Sequence, residues 1–431
     1  MRSAKSAIHA SGLAVVILLV LLLAITPGAE AQTQPSSETD QVDAATLRSM
    51  LKRIAELEAE VKDLKAAKTE QAAGNSAVTK TVQPQDVSPA PSPDITVSNP
   101  QILEAQRGMQ FRGFGDVDLQ GGNSGQSNGF QLGIFNLLMT SRLSENVGFL
   151  GELVMDVSST GMFQIEPERV LLAYRPNDYF HASLGRYHTG IGYYNNAYHH
   201  GAAFLQTATG RPLLFAFDDQ GGVLPIHKIG LSLTGRIPSG PLGLNYIAEV
   251  GYGPSSHMGM DMSSSNPMMT VTDDHNGRAF NLGFIARPLP WHPAQFGFDV
   301  YHADRTPMGM PSFSENIYAG HFLYQAPSFE FLNEAALIRH SSSMMGTFNT
   351  LGFYSQLSRK CHAWRPFVRY NYLNAPEMEP IFTTTGRQSG PAGGLRYDVN
   401  ESVALKLQFD HLDRRAMSAV NIVTMQTSFV F

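Results

Sequence analysis

From Gly108 to Phe431, apolar and polar residues alternate in segments of about ten to thirteen residues. A period of two predicts strands with one apolar and one polar face. The segments fall at about 108–120, 129–143, 147–157, 162–175, 179–187, 226–236, 241–253, 277–288, 295–304, 315–325, 328–340, 347–360, 363–373, 388–399, 401–413 and 419–431. That is about sixteen, an even number. In 241–253, Leu242, Leu244, Tyr246, Ala248, Val250 and Tyr252 share a face opposite Asn245 and Glu249. In 363–373, Trp364, Val368, Tyr370 and Tyr372 oppose Arg365, Arg369 and Asn371, and in 401–413, Val403, Leu405, Leu407 and Phe409 oppose Lys406, Gln408 and Asp410. In the last segment Val423, Met425, Thr427, Phe429 and Phe431 share one parity, with Thr427 the polar exception. The segment 129–143 is nearly apolar on both parities, so alternation does not orient it. Arg186 shares the parity of Phe180 and Leu184, which predicts a bulge or strand end there.

The connections carry a second rhythm. Every other one is tight, at Ser144 to Asn146, Pro176 to Asp178, Pro238 to Gly240, Ala326–Pro327, Cys361–His362 and Asn400, with a longer turn at 289–294. The rest are mostly longer, including about 188–225 and 254–276. Strands of this length suffice to cross a bilayer at a tilt. Short turns on one side and longer loops on the other predict an all-β, about sixteen-stranded antiparallel transmembrane barrel over 108–431. They also predict both termini on the periplasmic side of a cell outer membrane, with surrounding lipid as the first partner.

Upstream the pattern changes. Arg2 and Lys5 precede an apolar run from Leu13 to Ile25, and Ala29-Glu30-Ala31 offers small residues at a cleavage site, so 1–31 reads as a secretory signal peptide. From 44 to 68, Leu47, Met50, Ile54, Leu57, Val61 and Leu64 follow three-four spacing, predicting a short coiled-coil helix in the periplasm. The alternative is a single amphipathic helix. Residues 69–107, with Pro84, Pro89, Pro91, Pro93 and Pro100, read as an extended linker. Such a coil brings periplasmic or cell-wall contact within reach, or assists oligomerisation.

Composition narrows the function. A net charge of −6 and pI of about 6.2 provide no general basic surface for nucleic acid. Cys361 is the single cysteine, so neither an intrachain disulfide nor a cysteine metal cluster forms. No Gly-x-Ser-x-Gly nucleophile motif occurs, no His pairs with a Ser by strand position, and no plug-sized domain precedes the barrel. The expectation is neither an enzyme nor a gated transporter, with no cofactor.

The signal segment, coil, linker and about sixteen strands ending in Phe431 resemble bacterial outer-membrane porins. The stretch Leu184-Gly185-Arg186-Tyr187-His188-Thr189-Gly190-Ile191-Gly192 is similar to the strand exit of the phosphate-selective porin O/P type, with His188 in place of the usual Lys and Gly190 in place of the Pro. The resemblance implies a passive diffusion channel for small hydrophilic solutes or ions, a homotrimer, and a third external loop, about 188–225, that folds inward and constricts the lumen. It also implies that the insertion machinery of the outer membrane reads the terminal strand at Phe431. The lysine-rich track of a phosphate-selective pore is absent, since the barrel holds only Lys228, Lys360 and Lys406.

On that reading Tyr193, Tyr194, His199, His200, Arg211, Asp218 and Asp219 of the third loop line the constriction. Parity turns Arg112, Arg365, Arg369, Arg396 and Lys406 inward as a basic wall. Glu152, Asp156, Glu249, Asp299, Glu330 and Glu334 form an acidic one on the strands between. Lumen charges of this kind set selectivity; the alternative is local pairing. His257, Met258, Met260 and Met262 in the 254–276 loop suit copper(I), and His188, His199 and His200 suit zinc, giving a metal-related outer-membrane protein as an alternative function. A non-conducting structural or adhesive barrel is the other.

Overall fold

The computed structural model describes residues 108–123, 128–157, 163–199, 201–216, 222–252, 278–307, 309–415 and 417–431. The chain divides into two units, Met1–Ser88 and Pro89–Phe431, and every described residue belongs to the second. The expected signal peptide, coil and linker lie outside the described residues.

The strands are β1 (Met109–Gly122), β2 (Gly129–Leu132), β3 (Phe135–Arg142), β4 (Val147–Val157), β5 (Phe163–Asn177), β6 (Phe180–His188), β7 (His227–Arg236), β8 (Leu244–Tyr252) and β9 (Ala279–Ala286). They continue with β10 (Ala294–Arg305), β11 (Phe313–Ala326), β12 (Phe329–Ser342), β13 (Gly346–Arg359), β14 (Trp364–Asn374), β15 (Arg387–Asp398), β16 (Val403–Arg414) and β17 (Met417–Val430). Each pairs antiparallel with its neighbours, and β1 pairs with β17 from Phe114↔Val430 to Gly122↔Ile422, which closes the sheet. Strands β2 and β3 both pair with β1, so the seventeen segments make sixteen staves. Beyond Phe114↔Val430, Gly113 and Phe431 exchange both backbone hydrogen bonds (2.9 and 3.0 Å), and the Phe431 ring lies where a Gly113 Cβ would stand.

Two bulges explain where alternation loses its phase. At Gly133–Ile134 the stave folds around Asp116: Gly133 donates to the Asp116 carbonyl (3.0 Å) and Ile134 to its carboxylate (3.1 Å). Before the bulge Phe130 and Leu132 are exposed on the outside; after it Asn136, Leu138 and Thr140, of the same parity, are buried. One extra residue flips every later side chain, which is why 129–143 shows apolar residues on both parities. At β5 the register against β4 shifts at Glu168, with Glu152 opposite Arg169 and Leu153 opposite Pro167. Ile165 and Val170, of opposite parity, are accordingly both exposed. Arg186 does not face lipid alone: its Nε donates to the Glu168 carbonyl at 2.9 Å, satisfying the bulged backbone.

One rim carries the short turns and the other the longer connections, although the β12–β13 and β16–β17 links on the second rim are themselves tight. The outer face is an apolar band. Phe280, Leu282, Phe284, Phe298, Val368, Leu405, Leu407, Phe409, Val423 and Met425 are all exposed there. Tyr179, Trp291, Phe329, Trp364 and Phe431 gather exposed at the short-turn rim. An outward apolar belt with an aromatic girdle is unstable in water and complementary to a bilayer. An apolar hollow of about 520 Å³ on this outer face, beside Trp291, Phe296 and Tyr324, belongs to the girdle.

The polar inward rule has a large exception. On β8 to β13, Ile247, Ile285, Tyr301, Phe313, Leu323, Leu332, Ile338 and Tyr354 are buried inside the barrel, within one cluster that also holds Ile191, Tyr194, Leu214 and Phe215 of the β6–β7 connection. A luminal wall this apolar is stable only when covered. The connection covers it.

Candidate permeation pathway

The β6–β7 connection is built from chemistry readable in its first residues. Thr189 extends the ladder by donating to the Ile226 carbonyl (2.8 Å), and its hydroxyl bonds the Pro225 carbonyl (2.5 Å). The chain then turns at Gly192, whose φ of +75° and ψ of 166° are open only to glycine. A Cβ there would stand 2.7 Å from Glu334 Oε2 and 2.6 Å from the Phe215 ring. Gly190 has as little room, since a Cβ would stand 2.7 Å from Ile247. The short helix α1 (Tyr193–Ala197) follows, then α2 (Ala202–Leu205) and a 3-10 turn at Leu213–Phe215.

The wall charges converge on this connection in two sets. The acidic set receives the backbone N–H groups of its first part. Gly190 donates to Glu249 Oε2 (2.9 Å), Gly192 to Asp299 Oδ2 (3.2 Å), Tyr193 to Glu334 Oε2 (2.5 Å) and Tyr194 to Glu334 Oε1 (2.9 Å). Tyr354 adds its hydroxyl to Glu334 Oε1 at 2.7 Å. The carboxylate thus meets the first amides of α1, where the helix carries partial positive charge.

The basic set binds the carbonyls of the second part. Arg396 donates to the Phe204 carbonyl and, at 2.8 Å, to that of Gln206. Lys406 donates to the Ala203 carbonyl and, at 3.0 Å, to that of Ala208. Arg369 donates to Gly210 O (2.7 Å), and the Gln408 amide oxygen accepts from Thr209 N (2.9 Å). Arg365, Arg396 and Lys406 are consecutive register partners across β14, β15 and β16. Asp398 offsets two of them, at 2.8 Å from Arg365 and 2.6 Å from Arg396. The peptide connection is therefore held from both sides of the lumen through its own backbone dipoles.

The remaining sequence candidates fall elsewhere. Glu152 pairs with Arg169 and accepts from Asn136 (2.6 Å) on the β3–β5 wall. Glu330 accepts from Ser358 (3.3 Å) and from Tyr198 (3.4 Å). Arg112 is exposed near the start of β1. Arg211 is anchored by the Phe215 carbonyl (2.7 Å) and lies over the Tyr194 ring (5.4 Å). Burial pushes the Tyr193, Tyr194 and Tyr198 phenols above their usual range, so they stay neutral. His200, Asp218, Asp219, His257, Met258, Met260, Met262 and the Asp156 side chain lie outside the described residues.

Between the connection and the β1, β14, β16 and β17 wall, a polar crevice of about 220 Å³ remains. Asp118 and Asp410 face it with Arg211 and Arg369, alongside Thr209 and Gln408. Gln408 and Asp410 stand on the polar parity of their strand but were not among the expected pore charges, and Asp118 was not singled out, although its parity opposite Val117 and Leu119 was the available signal.

Several solved outer-membrane proteins share this architecture. The OmpF porin of Salmonella typhi, solved with daunomycin, matches with a TM-score of 0.53 at 11% identity, over 75% of this chain and 97% of that one. The anion-selective porin of Comamonas acidovorans matches at 0.51 and 12%, over 75% and 99%. The outer-membrane channel DcaP of Acinetobacter baumannii matches at 0.50 and 11%, over 76% and 99%. The fold is that of a bacterial porin. No protein-family model matches the sequence, and no curated protein is significantly similar to it. At these identities the likeness is one of architecture.

Proposed function

We propose that the chain is an outer-membrane passive diffusion channel whose third external loop, 189–226, narrows the lumen. The observation that carries the reading is the double anchoring of that loop. Acidic side chains take its amides, and basic side chains take its carbonyls on the opposite stretch. Charges that parity suggests as selectivity walls are largely consumed in holding the constriction. Selection then belongs to the crevice where Asp118 and Asp410 oppose Arg211 and Arg369. Opposed fixed charges across a narrow passage align dipolar solutes. The pathway suits small zwitterionic or hydrogen-bonding molecules better than a single ion sign. The porin resemblance further supports a homotrimer, periplasmic termini and recognition of the Phe431 strand by the insertion machinery.

The test is conductance of the purified full chain in planar bilayers, with liposome swelling over a panel of neutral, zwitterionic and charged solutes. Small ohmic steps, in threes for a trimer, and faster swelling with zwitterions are expected. A specific observation also favours a second reading. The apolar luminal half is packed against the loop, as in a closed structural barrel. Absence of both conductance and swelling would select that reading.

A further inference from the structure

Beside the pathway, four side chains converge that the channel reading does not use. Glu168, His188, His199 and His227 each bring one ligand-type atom to a point where all four lie within 4.8 Å of one another. All are buried or nearly so. The His188 and His199 rings are 3.8 Å apart between centroids, and His227 lies 5.0 and 5.1 Å from them. His227 Nε2 is 2.6 Å from Glu168 Oε2. We propose that these residues form a binding site for a divalent transition-metal ion of the zinc type, which pins the third loop to the barrel wall.

Each ligand is positioned by a feature of the fold. His188 and His227 are register partners that close the ladder at the two ends of the loop. Glu168 is the extra residue of the β5 bulge, a device that re-aims a side chain out of the alternation. His199 comes from within the loop, just after α1. Its Nδ1 lies 3.0 Å from Asn195 Oδ1. The Asn195 amide is oriented by its Nδ2, which donates to the Thr189 carbonyl (2.8 Å) and hydroxyl (3.3 Å). Oδ1 therefore faces the imidazole, and in the tautomer whose Nδ1 donates to it, Nε2 presents its lone pair to a metal. An outer hydrogen bond of this kind fixes the tautomer of a ligating histidine. Arg211 also approaches Nδ1 at 3.2 Å, but it is held independently by the Phe215 and His199 carbonyls.

Three imidazoles and one carboxylate are borderline nitrogen and oxygen donors, which suit zinc, copper(II), nickel or cobalt over magnesium or calcium. Bonds of about 2.0–2.1 Å put tetrahedral ligand atoms roughly 3.3 Å apart, so small side-chain rotations complete the shell. Four protein ligands leave no open position, which marks a structural rather than a hydrolytic site. Arg186, 3.8 Å from Glu168 Oε2, keeps its Nε bond to the Glu168 carbonyl while the carboxylate turns to the metal.

The test uses the untagged, chelator-stripped full chain in detergent, titrated with Co²⁺ and Zn²⁺, with Mg²⁺ as control. One equivalent of Co²⁺ should give the intense visible bands of tetrahedral coordination, displaced by Zn²⁺ and unmoved by Mg²⁺. His199→Ala and His188→Ala should each weaken Zn²⁺ binding at least a hundredfold, while His302→Ala leaves it unchanged. Folding of each variant is read from heat-shifted gel migration. If a variant misfolds, the cobalt spectrum of the unaltered chain and protection of His188 and His199 from diethylpyrocarbonate by Zn²⁺ decide in its place. Octahedral cobalt bands, absence of stoichiometric binding, or binding unaffected by His199→Ala in a folded barrel would overturn the site. None of these outcomes bears on conductance, so the channel reading stands or falls separately.

Discussion

Glu334 is the most consequential of the loop anchors. Its two oxygens accept Tyr193 N, Tyr194 N and the Tyr354 hydroxyl, at 2.5, 2.9 and 2.7 Å, in a buried setting. Glu334→Ala leaves two loop amides and one phenol without the acceptor. A buried donor deprived of its partner costs roughly 1–3 kcal/mol, so docking of α1 should weaken by about 2–6 kcal/mol, with the upper figure reduced by water entering the cavity. Since about 1.4 kcal/mol is a factor of ten, the undocked population of the loop should rise at least tenfold. Glu334→Gln keeps one acceptor oxygen and turns an NH₂ toward the other donors, which predicts an intermediate effect. The barrel itself should survive, because neither change touches the ladder of β12. Amide hydrogen exchange at Tyr193 and Tyr194 reads docking directly, and single-channel current noise reads its consequence. Exchange protection at these amides equal to that of the unaltered chain, in both variants, would refute the anchoring argument.

Further predictions bear on the other parts. Val368→Arg puts a charge on the lipid face near the middle of β14, and should cost about 2–4 kcal/mol in unfolding titrations in bilayers; a neutral result would place that face elsewhere than against lipid. Gly113→Val should force the Phe431 ring off the β1–β17 seam and slow barrel assembly, measured as the rate at which the heat-shifted band appears in vesicles. Asp118→Asn with Asp410→Asn should shift the reversal potential in a salt gradient toward anion preference, whereas Arg365→Ala, neutralised beside Asp398, should leave it near the original value. Cys361 is exposed at the short-turn rim, so a membrane-impermeant maleimide should label it in broken but not intact cells; labelling of intact cells would reverse the orientation.

The barrel was legible because a lipid-facing strand leaves its period in the sequence, and the turn rhythm fixed the stave order. Its two local irregularities trace to bulges, one within 129–143 and one at Glu168 of β5, whose carbonyl Arg186 on β6 satisfies. Whether a strand takes an extra residue depends on partners such as Asp116 and Arg186, which alternation does not reveal. The inward residues were legible as a set, but not what they touch. Glu249, Asp299 and Glu334 look like pore charges from parity, and in the fold they meet amides of residues 190–194. Backbone dipoles have no sequence signature, so a side chain that anchors a loop and one that faces solute look alike. The same limit hid Glu168 and His227 from the histidine group. A bulge and a register pairing bring them to His188 and His199.

A channel narrowed by a loop strung between oppositely charged walls should widen when that loop is cut back, read as single-channel conductance of the full chain before and after deletion of 201–210. That deletion removes the carbonyls held by Arg396, Lys406 and Arg369. Small ohmic steps that grow severalfold in the deletion variant are expected. Steps of unchanged size, or silence from both folded proteins, would contradict a loop-narrowed channel.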